Sequence, residues 1–138
     1  MDGMQDNTEQ AKKELDSKMK QLVEIIGGLA EGYAKDLCPV DTGLLRNSIT
    51  HVDGEGKLKI RKYTDDAGKN SGQYPNGSFP QGAESSKYTA IIGTNVQYAP
   101  YQELGAPNIG LKPQPFLRPA IENHKQEYKS LIEDMLKQ

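Results

Sequence analysis

The feature that most constrains the fold is a long stripe of apolar residues in the first third of the chain. Its members recur at intervals of three and four residues: Leu15, Met19, Leu22, Ile26, Leu29, Tyr33 and Leu37. This spacing is typical of an amphipathic helix with one buried face, and Asn7 with Gln10 resembles a capping box. Pro39 ends the pattern, because it lacks an N–H and disfavours helical backbone in the residue before it. We predict a helix over about residues 8–37, after a flexible terminus of residues 1–7.

Two adjacent glycines, Gly27 and Gly28, lie in the middle of this stripe. Each costs a helix about 1 kcal/mol relative to alanine, because glycine has more backbone freedom to lose. The pair therefore has two interpretations: a locally weakened helix, or a place where another backbone comes close. The sequence leaves both open.

Three short segments have the character of β-strands. Residues 48–52 and 57–61 alternate inward and outward side chains around the turn sequence DGEG, which predicts a hairpin. Residues 88–94 are rich in β-branched and aromatic side chains, which favours a third strand. We expect an antiparallel sheet of three to four strands.

The C-terminal segment repeats the helical spacing. The members of its stripe are Leu117, Ile121, His124, Tyr128, Leu131 and Met135. Pro119 suits the first turn of a helix, where an N–H has no helical partner. The order of elements predicts an α+β fold, in which a long N-terminal helix and a C-terminal helix pack on the antiparallel sheet.

A segment without periodicity, residues 63–87, lies between the second and third predicted strands. It is rich in Gly, Pro, Asn and Ser, and its length of about 25 residues is unusual for a loop in a compact domain. We interpret it either as a solvated, disordered loop or as an arm that reaches a neighbouring subunit.

The size and charge of the chain limit the classes of function. Its 138 residues predict one domain, residues 1–138. The formal net charge of −2 disfavours a protein dedicated to binding nucleic acid, which needs a basic excess on one face. The most apolar window contains Glu24 and Glu31 and is too short for a membrane span. The N-terminus does not resemble a signal peptide.

The few candidate metal ligands argue against a cofactor. Cys38 is the single cysteine and the only histidines are His51 and His124, which is too few for a zinc site. Phosphate-binding loops and paired metal motifs are absent from the sequence, so we predict no cofactor and no metal. A reducing compartment fits the free thiol. We expect His124 at the edge of the core and His51 on a solvated strand edge.

The tripeptide Asp41-Thr42-Gly43 raises the question of catalysis, since aspartic proteases carry this sequence. Such an enzyme needs two carboxylates that share a proton, and the tripeptide occurs once. In the structural interpretation, Asp41 or Thr42 caps a short helical turn and Gly43 lets the chain turn. We predict that the chain is not an enzyme. A small hydrolase that uses Asp41 or Cys38 is the alternative, although a thiol at a helix C-terminus is poorly placed to ionise.

A second block, residues 94–107, contains Tyr98, Tyr101 and Leu104 at intervals of three. One helical turn would place these side chains on one side. They either close the bottom of the core or contact another subunit, because tyrosine combines an apolar ring with a polar tip. A peptide-binding module around Tyr98 and Tyr101 is a further alternative.

Three blocks of sequence suggest a family when they are taken in order: CPVDTGLLRNSI, IIGTNVQYAPYQELG and KPQPFLRPAI. Their order and spacing resemble those of the neck proteins of long-tailed bacteriophages, also called head-tail joining or tail-completion proteins. The resemblance runs from about Gly28 to the end, except for the long loop, and Leu104-Gly105-Ala106 departs from the Phe-Gly-Thr of the family. The residues expected to shape the fold or to form assembly contacts are Asp41, Thr42, Gly43, Arg46, Tyr98, Tyr101, Glu103, Phe116 and Arg118.

The resemblance implies a structural virion protein of a phage or prophage-derived particle, assembled in the host cytoplasm. It implies a ring of identical subunits that joins the head connector to the tail. The expected partners are a head-completion or connector protein and a tail terminator or tail-tube protein. DNA would pass through the ring without specific binding, and no membrane is involved.

Two contact hypotheses accompany this resemblance. Residues 63–87 would reach across the contact between subunits or line the channel. Glu103 would pair with Arg46 or Arg118, because a guanidinium satisfies a half-buried carboxylate with two donors at once.

Overall fold

The computed structural model describes residues 2–58, 60–75, 79 and 88–137, and for residues 2–6 it describes the backbone alone. In this part of the chain the elements are, in order, α1 (Asp2–Leu37), α2 (Leu44–Ser48), β1 (Thr50–His51), β2 (Lys62–Thr64), β3 (Ser71–Gln73), β4 (Ile92–Gly93), α3 (Ala99–Leu104), a 3-10 turn (Pro107–Ile109), α4 (Leu117–Glu122) and α5 (Lys125–Lys137). The α+β class, with helices at both ends and antiparallel strands between them, is confirmed.

Helix α1 is the longest element, with 36 residues. It begins at Asp2, well before the predicted start, so Asn7 lies inside the helix and the predicted capping box does not begin it. Residues 7–15 are exposed along the helix, whereas Leu22 and Ala34 are buried. The C-terminal half of α1 contacts β1, β4, α4 and α5.

Of the predicted stripe, only Leu22 is buried; its other members between residues 19 and 33 are half-buried, and Leu15 and Leu37 are exposed. The buried face of the second half of α1 is formed by Val23, Ala30 and Ala34, so the predicted stripe is displaced from the face that packs on the fold.

The glycine pair of α1 makes room for a histidine. Gly27 and Gly28 do not interrupt the helix. A Cβ atom at Gly27 would lie 2.8 Å from Cδ2 of His51, closer than two carbon atoms approach. The interpretation that another backbone comes close is wrong, because the atoms nearest to Gly27 belong to the side chain of His51. His51 is 6% exposed, so the prediction of a solvated histidine is wrong.

The strands form two small sheets rather than one. Strand β1 pairs antiparallel with β4, in the register Thr50↔Gly93 and His51↔Ile92. Strand β2 pairs antiparallel with β3. The prediction of a single sheet of three to four strands is wrong in this respect. Four strands are present in the described residues, divided between two pairs.

The predicted hairpin around DGEG is present only as a turn. The carboxylate of Asp53 accepts hydrogen bonds from the N–H groups of Glu55 and Lys57, each 2.9 Å. Val52 and Leu58 form one isolated antiparallel bridge. Beyond that bridge, β1 pairs with β4 and not with the segment that follows the turn. Both β1 and β4 contact α1.

The first half of the predicted loop 63–87 is a hairpin. Strands β2 and β3 pair through Lys62↔Gln73 and Thr64↔Ser71, and the interpretation of a loop does not hold there. Tyr63 and Tyr74, on either side of the hairpin, are buried in the core, with ring centroids 5.8 Å apart. The rest of that segment, residues 76–78 and 80–87, lies outside the described residues.

The C-terminal helix predicted from one continuous stripe is divided at residues 123–124. The N–H of His124 bonds to the carbonyl of Ile121 at 3.4 Å, one residue later than α-helical geometry requires. The carbonyl of Ala120 is thereby freed, and the hydroxyl of Tyr128 donates to it at 2.6 Å. The break places the His124 ring flat against Tyr33 of α1, with centroids 3.5 Å apart. His124 is half-buried, at the edge of the core as predicted.

The core gathers residues from α1, α2, α3, α4 and the segments around the strands. Its buried members include Ala34, Cys38, Leu45, Ile49, Tyr74, Val96, Phe116 and Ala120. The hydroxyl of Tyr74 donates to the carbonyl of Ser48 at 2.6 Å, so this deep tyrosine leaves no unpaired oxygen. Among the described helices, none combines the length and the apolar character that crossing a membrane requires.

Candidate assembly surface

The Asp41-Thr42-Gly43 segment is a turn that begins α2. Gly43 has a φ of +88°, a conformation that side chains other than glycine rarely adopt. The hydroxyl of Thr42 accepts a hydrogen bond from the N–H of Leu44 at 3.3 Å, which closes a local turn. The prediction that Asp41 or Thr42 caps the helix is wrong, because the N-cap residue of α2 is Gly43. Asp41 itself is exposed. The tripeptide is structural.

Asp66 joins this turn to the β2–β3 hairpin. Nη2 of Arg46 donates to both carboxylate oxygens of Asp66, at 2.8 and 3.0 Å, and Nδ2 of Asn47 donates to one of them at 3.0 Å. The N–H of Asp66 donates to the carbonyl of Thr42 at 2.9 Å. The carboxylate also packs against Gly43, where a Cβ atom would collide with it. Glycine is thus required for the contact as well as for the turn.

Asp65, the neighbour of Asp66, holds the tip of the hairpin. Its carboxylate is 4% exposed and accepts from the N–H groups of Lys69 and Asn70, and from the amide of Asn70. Burial alone would raise the pKa of Asp65, but these hydrogen bonds hold that pKa below its usual range. The sequence analysis did not single out either aspartate, although an acidic pair before the sequence AGKN is a typical turn signal.

Glu103 caps α4. Its carboxylate accepts hydrogen bonds from the N–H groups of Phe116, Leu117 and Arg118, at 3.0, 2.9 and 3.2 Å. The prediction that Glu103 pairs with a guanidinium is wrong, because the first turn of a helix offers several unpaired N–H groups and partial positive charge. The two arginines have other partners.

Arg46 and Arg118 each pair with a carboxylate other than that of Glu103. Arg46 pairs with Asp66 at 2.8 Å. Arg118 pairs with Glu122 one helical turn away, at 3.2 Å, on the exposed side of α4. The second and third sequence blocks are therefore joined by a carboxylate and three backbone amides.

The residues suggested for catalysis are not arranged for it. Cys38 is 5% exposed, and burial raises the pKa of its thiol to about 11, so the thiolate is not available near neutral pH. Asp41 lies in an exposed turn, whereas a protease aspartate shares a proton with a second carboxylate. Within the described residues, no group of three histidines, cysteines or acids is placed to hold a metal ion.

Helix α3 carries an exposed apolar surface, which we call the α3 surface and define as Tyr98, Tyr101 and Leu104. These side chains are 42%, 56% and 73% exposed, while Val96 and Ala99 on the other side are buried. Closing the core, one interpretation of this block, is therefore the role of Val96 and Ala99. Partial burial raises the pKa of Tyr98 above its usual value, with smaller contributions from Cys38 and Asp41.

Two clefts flank the α3 surface. A groove of about 810 Å³ runs between β4 and α3, and its walls include Ile92, Thr94, Val96, Pro100, Leu104 and Leu117. A smaller cleft of about 190 Å³ separates Tyr98 from Val40 and Thr42. Tyr98 and Tyr101 are not walls of the larger groove, which disfavours a peptide-binding module centred on the two tyrosines.

His51 is a buried polar contact that the sequence analysis missed. Its Nδ1 lies 2.9 Å from the carboxylate of Glu31, and its Nε2 lies 3.6 Å from that of Glu24. Burial raises the pKa of Glu31, but hydrogen bonds from His51 and Lys35 outweigh this and lower it. Two acids seven residues apart share one face of a helix, so their position on either side of the glycine pair was an available signal.

These observations indicate a structural class of protein, because its conspicuous polar side chains connect elements of the fold and several large apolar side chains are exposed. The chain matches, over residues 2–105, the model of the HK97-gp10-like family of bacteriophage tail components, named after gp10 of phage HK97. The chain belongs to this family of phage tail structural proteins, which is not a family of enzymes. Neither the curated proteins nor the solved structures that were searched gave a match.

Proposed function

We propose that this tail component acts at the junction between head and tail, as a ring of identical subunits through which DNA passes. The observation that carries the proposal is the α3 surface, in a family whose members build the phage tail. A ring forms when one patch of a subunit meets a different patch of the next and the rotation closes. In this proposal the α3 surface is one of those patches.

The exposed fractions support a protein contact at this surface. Leu104 is 73% exposed, and Val40 across the small cleft is 51% exposed. Tyrosine is enriched at interfaces, because it combines a large apolar area with a polar tip and loses little rotamer freedom. The α3 surface and Val40 together offer apolar area that the subunit itself leaves uncovered.

The remaining residues of the three blocks act in this proposal by fixing the shape of the surface. Gly43 and Arg46 hold the turn before α2 against Asp66. Glu103 ties α3 to α4, and Phe116 anchors α4 in the core. Their substitution would impair assembly by moving the α3 surface rather than by removing a contact.

The partners proposed for the finished ring are the head-completion or connector protein on one side and the tail terminator or tail-tube protein on the other. Subunits would assemble in the host cytoplasm and then remain in the virion. The slight negative net charge of the chain suits a conduit, since a subunit that is strongly basic as a whole would retard DNA.

The proposal is tested by Leu104→Asp, which places a charge on the most exposed member of the α3 surface. We expect the variant to fold, because Leu104 is exposed, and to lose self-association in sedimentation velocity and in native mass spectrometry. We also expect it to fail to restore infectious particles to a phage that lacks the gene. Leu136→Asp is the matched control, since Leu136 is an exposed leucine near the end of α5.

The measurement can contradict the proposal in two ways. If Leu104→Asp assembles and complements as well as the unchanged protein, the α3 surface is not a subunit contact. If Leu136→Asp is equally impaired, any loss of an exposed leucine has the same effect and the α3 surface is not special.

A further inference from the structure

The β2–β3 hairpin and the segment that leads into it concentrate positive charge in a protein that is acidic as a whole. Residues 57–73 carry three more basic than acidic side chains, in a chain of net charge −2. The basic residues are Lys57, Lys59, Arg61, Lys62 and Lys69. Of these, Lys57, Arg61, Lys62 and Lys69 are described in the structure, and all four are exposed. We call these four the basic hairpin.

The two acids of this segment are engaged within the fold, and they reduce its positive charge without cancelling it. Asp65 is buried, and its carboxylate is occupied by the backbone and side chain of the turn. Asp66 is held by Arg46 and Asn47 on the α2 side. Within the described residues, the four cations of the basic hairpin have no ion pair. Their charge is therefore free to act on a partner.

The chemistry of the surrounding face indicates the kind of partner. The exposed side of the hairpin carries Lys62 opposite Gln73 and Thr64 opposite Ser71, all exposed. None of the described residues from 57 to 75 is among the exposed large apolar side chains, which lie elsewhere. Protein interfaces are depleted in lysine and have apolar or aromatic anchors. Lysine and arginine beside hydroxyl and amide groups are instead the side chains that contact phosphate and sugar.

We propose that the basic hairpin makes a sequence-independent contact with the phosphate backbone of duplex DNA. This deepens the proposed function and depends on it for its biological meaning, because a subunit of a DNA conduit meets the duplex at its inner surface. The contact is weak for a single subunit, since about four cations release about four counterions. Such a weak contact would guide DNA without retaining it. The composition of the whole chain does not indicate this contact, because its net charge is negative.

The test measures DNA binding by the full-length protein in free solution. The probe is a fluorescently labelled duplex of mixed sequence, followed by anisotropy at low ionic strength. We expect binding that weakens about 150-fold when the salt concentration rises fourfold, because four phosphate contacts give a logarithmic slope of about −3.6. The hairpin variant, Lys57→Gln, Arg61→Gln, Lys62→Gln and Lys69→Gln together, should lose this binding.

A matched control separates the patch from the overall charge. The helix variant, Lys12→Gln, Lys13→Gln, Lys125→Gln and Lys129→Gln, removes four exposed lysines from α1 and α5 and changes the net charge by the same amount. We expect it to bind DNA within about threefold of the unchanged protein, with the same salt dependence. Circular dichroism and thermal unfolding confirm that both variants are folded.

Three results would overturn the inference. The first is no DNA binding by the unchanged protein at low salt. The second is an equal loss in the hairpin and helix variants, which would indicate a general charge effect. The third is a hairpin variant that keeps DNA binding but loses self-association, which would assign the basic hairpin to an acidic protein surface. Failure of the ring proposal is seen separately, because DNA binding is measured on free protein.

Discussion

At the residue scale, the contact of His51 with Gly27 and Glu31 determines how β1 packs on α1. Its ring occupies the space that Gly27 leaves open, and its Nδ1 is held at 2.9 Å by Glu31. The hydrogen bond at Nδ1 favours one packing geometry over others, whereas the buried Nε2 has no hydrogen-bond partner within the described residues. His51 therefore fixes the position of β1 along α1, which apolar packing alone would leave less defined.

A comparison of two glycines in α1 tests this role. Gly27→Ala is expected to destabilise the protein by about 1 to 3 kcal/mol, because its methyl group overlaps the His51 ring. Gly32→Ala has open space around the new methyl group and should stabilise the helix by up to about 1 kcal/mol. Chemical denaturation of both variants gives the two free energies of unfolding. Equal effects would show that the ring does not need the space at Gly27.

The Glu31 carboxylate gives this contact a pH dependence. A carboxyl group whose folded pKa is lowered stabilises the fold above its unfolded pKa, about 4.3, and loses that effect as the pH falls through the folded pKa. Glu31→Gln should therefore cost about 1 to 2 kcal/mol at pH 7, and less as the pH falls below about 4. Denaturation curves from pH 3 to pH 7 measure the difference. Glu9→Gln, on an exposed turn of α1, is the control.

At the scale of elements, the short helices depend on carboxylates supplied from elsewhere in the chain. Helices α2 and α4 have five and six residues, too few to be stable in isolation. Glu103 of α3 accepts from three N–H groups at the start of α4, and Asp66 of the hairpin binds Arg46 of α2. Glu103 thus connects the second sequence block to the third, and Asp66 connects the first block to the hairpin.

The cap on α4 gives a prediction for Glu103. Glu103→Ala should lower the free energy of unfolding by about 1 to 2 kcal/mol, because three amides lose their acceptor. Glu103→Gln keeps an acceptor oxygen and should lose less. Glu122→Ala, which removes the exposed partner of Arg118, should change stability by less than about 0.5 kcal/mol. If Glu122→Ala costs as much as Glu103→Ala, the cap is not the source of the effect.

The sequence predicts the elements that depend on residues close together in the chain, such as helices and turns. The stripe of α1 and the stop at Pro39 are strong enough to give the main helix, and the turn at Gly43 follows from backbone sterics. Strand pairing is different, because β1 takes β4 as its partner only when both lie on α1. The predicted pair of Glu103 with arginine failed for a similar reason: backbone amides compete as donors, and only the fold shows which are free.

At the scale of the whole molecule, two surfaces of different chemistry lie on different elements. The α3 surface is apolar and aromatic, whereas the basic hairpin is polar and cationic. The net charge of −2 averages the hairpin with the rest of the chain, so composition alone predicts no affinity for DNA. Such a division fits a subunit that meets neighbours on one side and DNA on another.

The two surfaces should therefore separate in experiment. Leu104→Asp should remain monomeric but keep the DNA affinity of a single subunit and its salt slope of about −3.6, because the basic hairpin is unchanged. The unchanged protein, at concentrations where it assembles, should bind a long duplex at least tenfold more tightly than this monomer, because the proposed ring would present several hairpins at once. The hairpin variant should show the converse, with self-association in sedimentation velocity and no binding to the duplex.

If Leu104→Asp also abolishes DNA binding by the monomer, the two surfaces are not independent. The basic hairpin would then act only within a site that assembly completes.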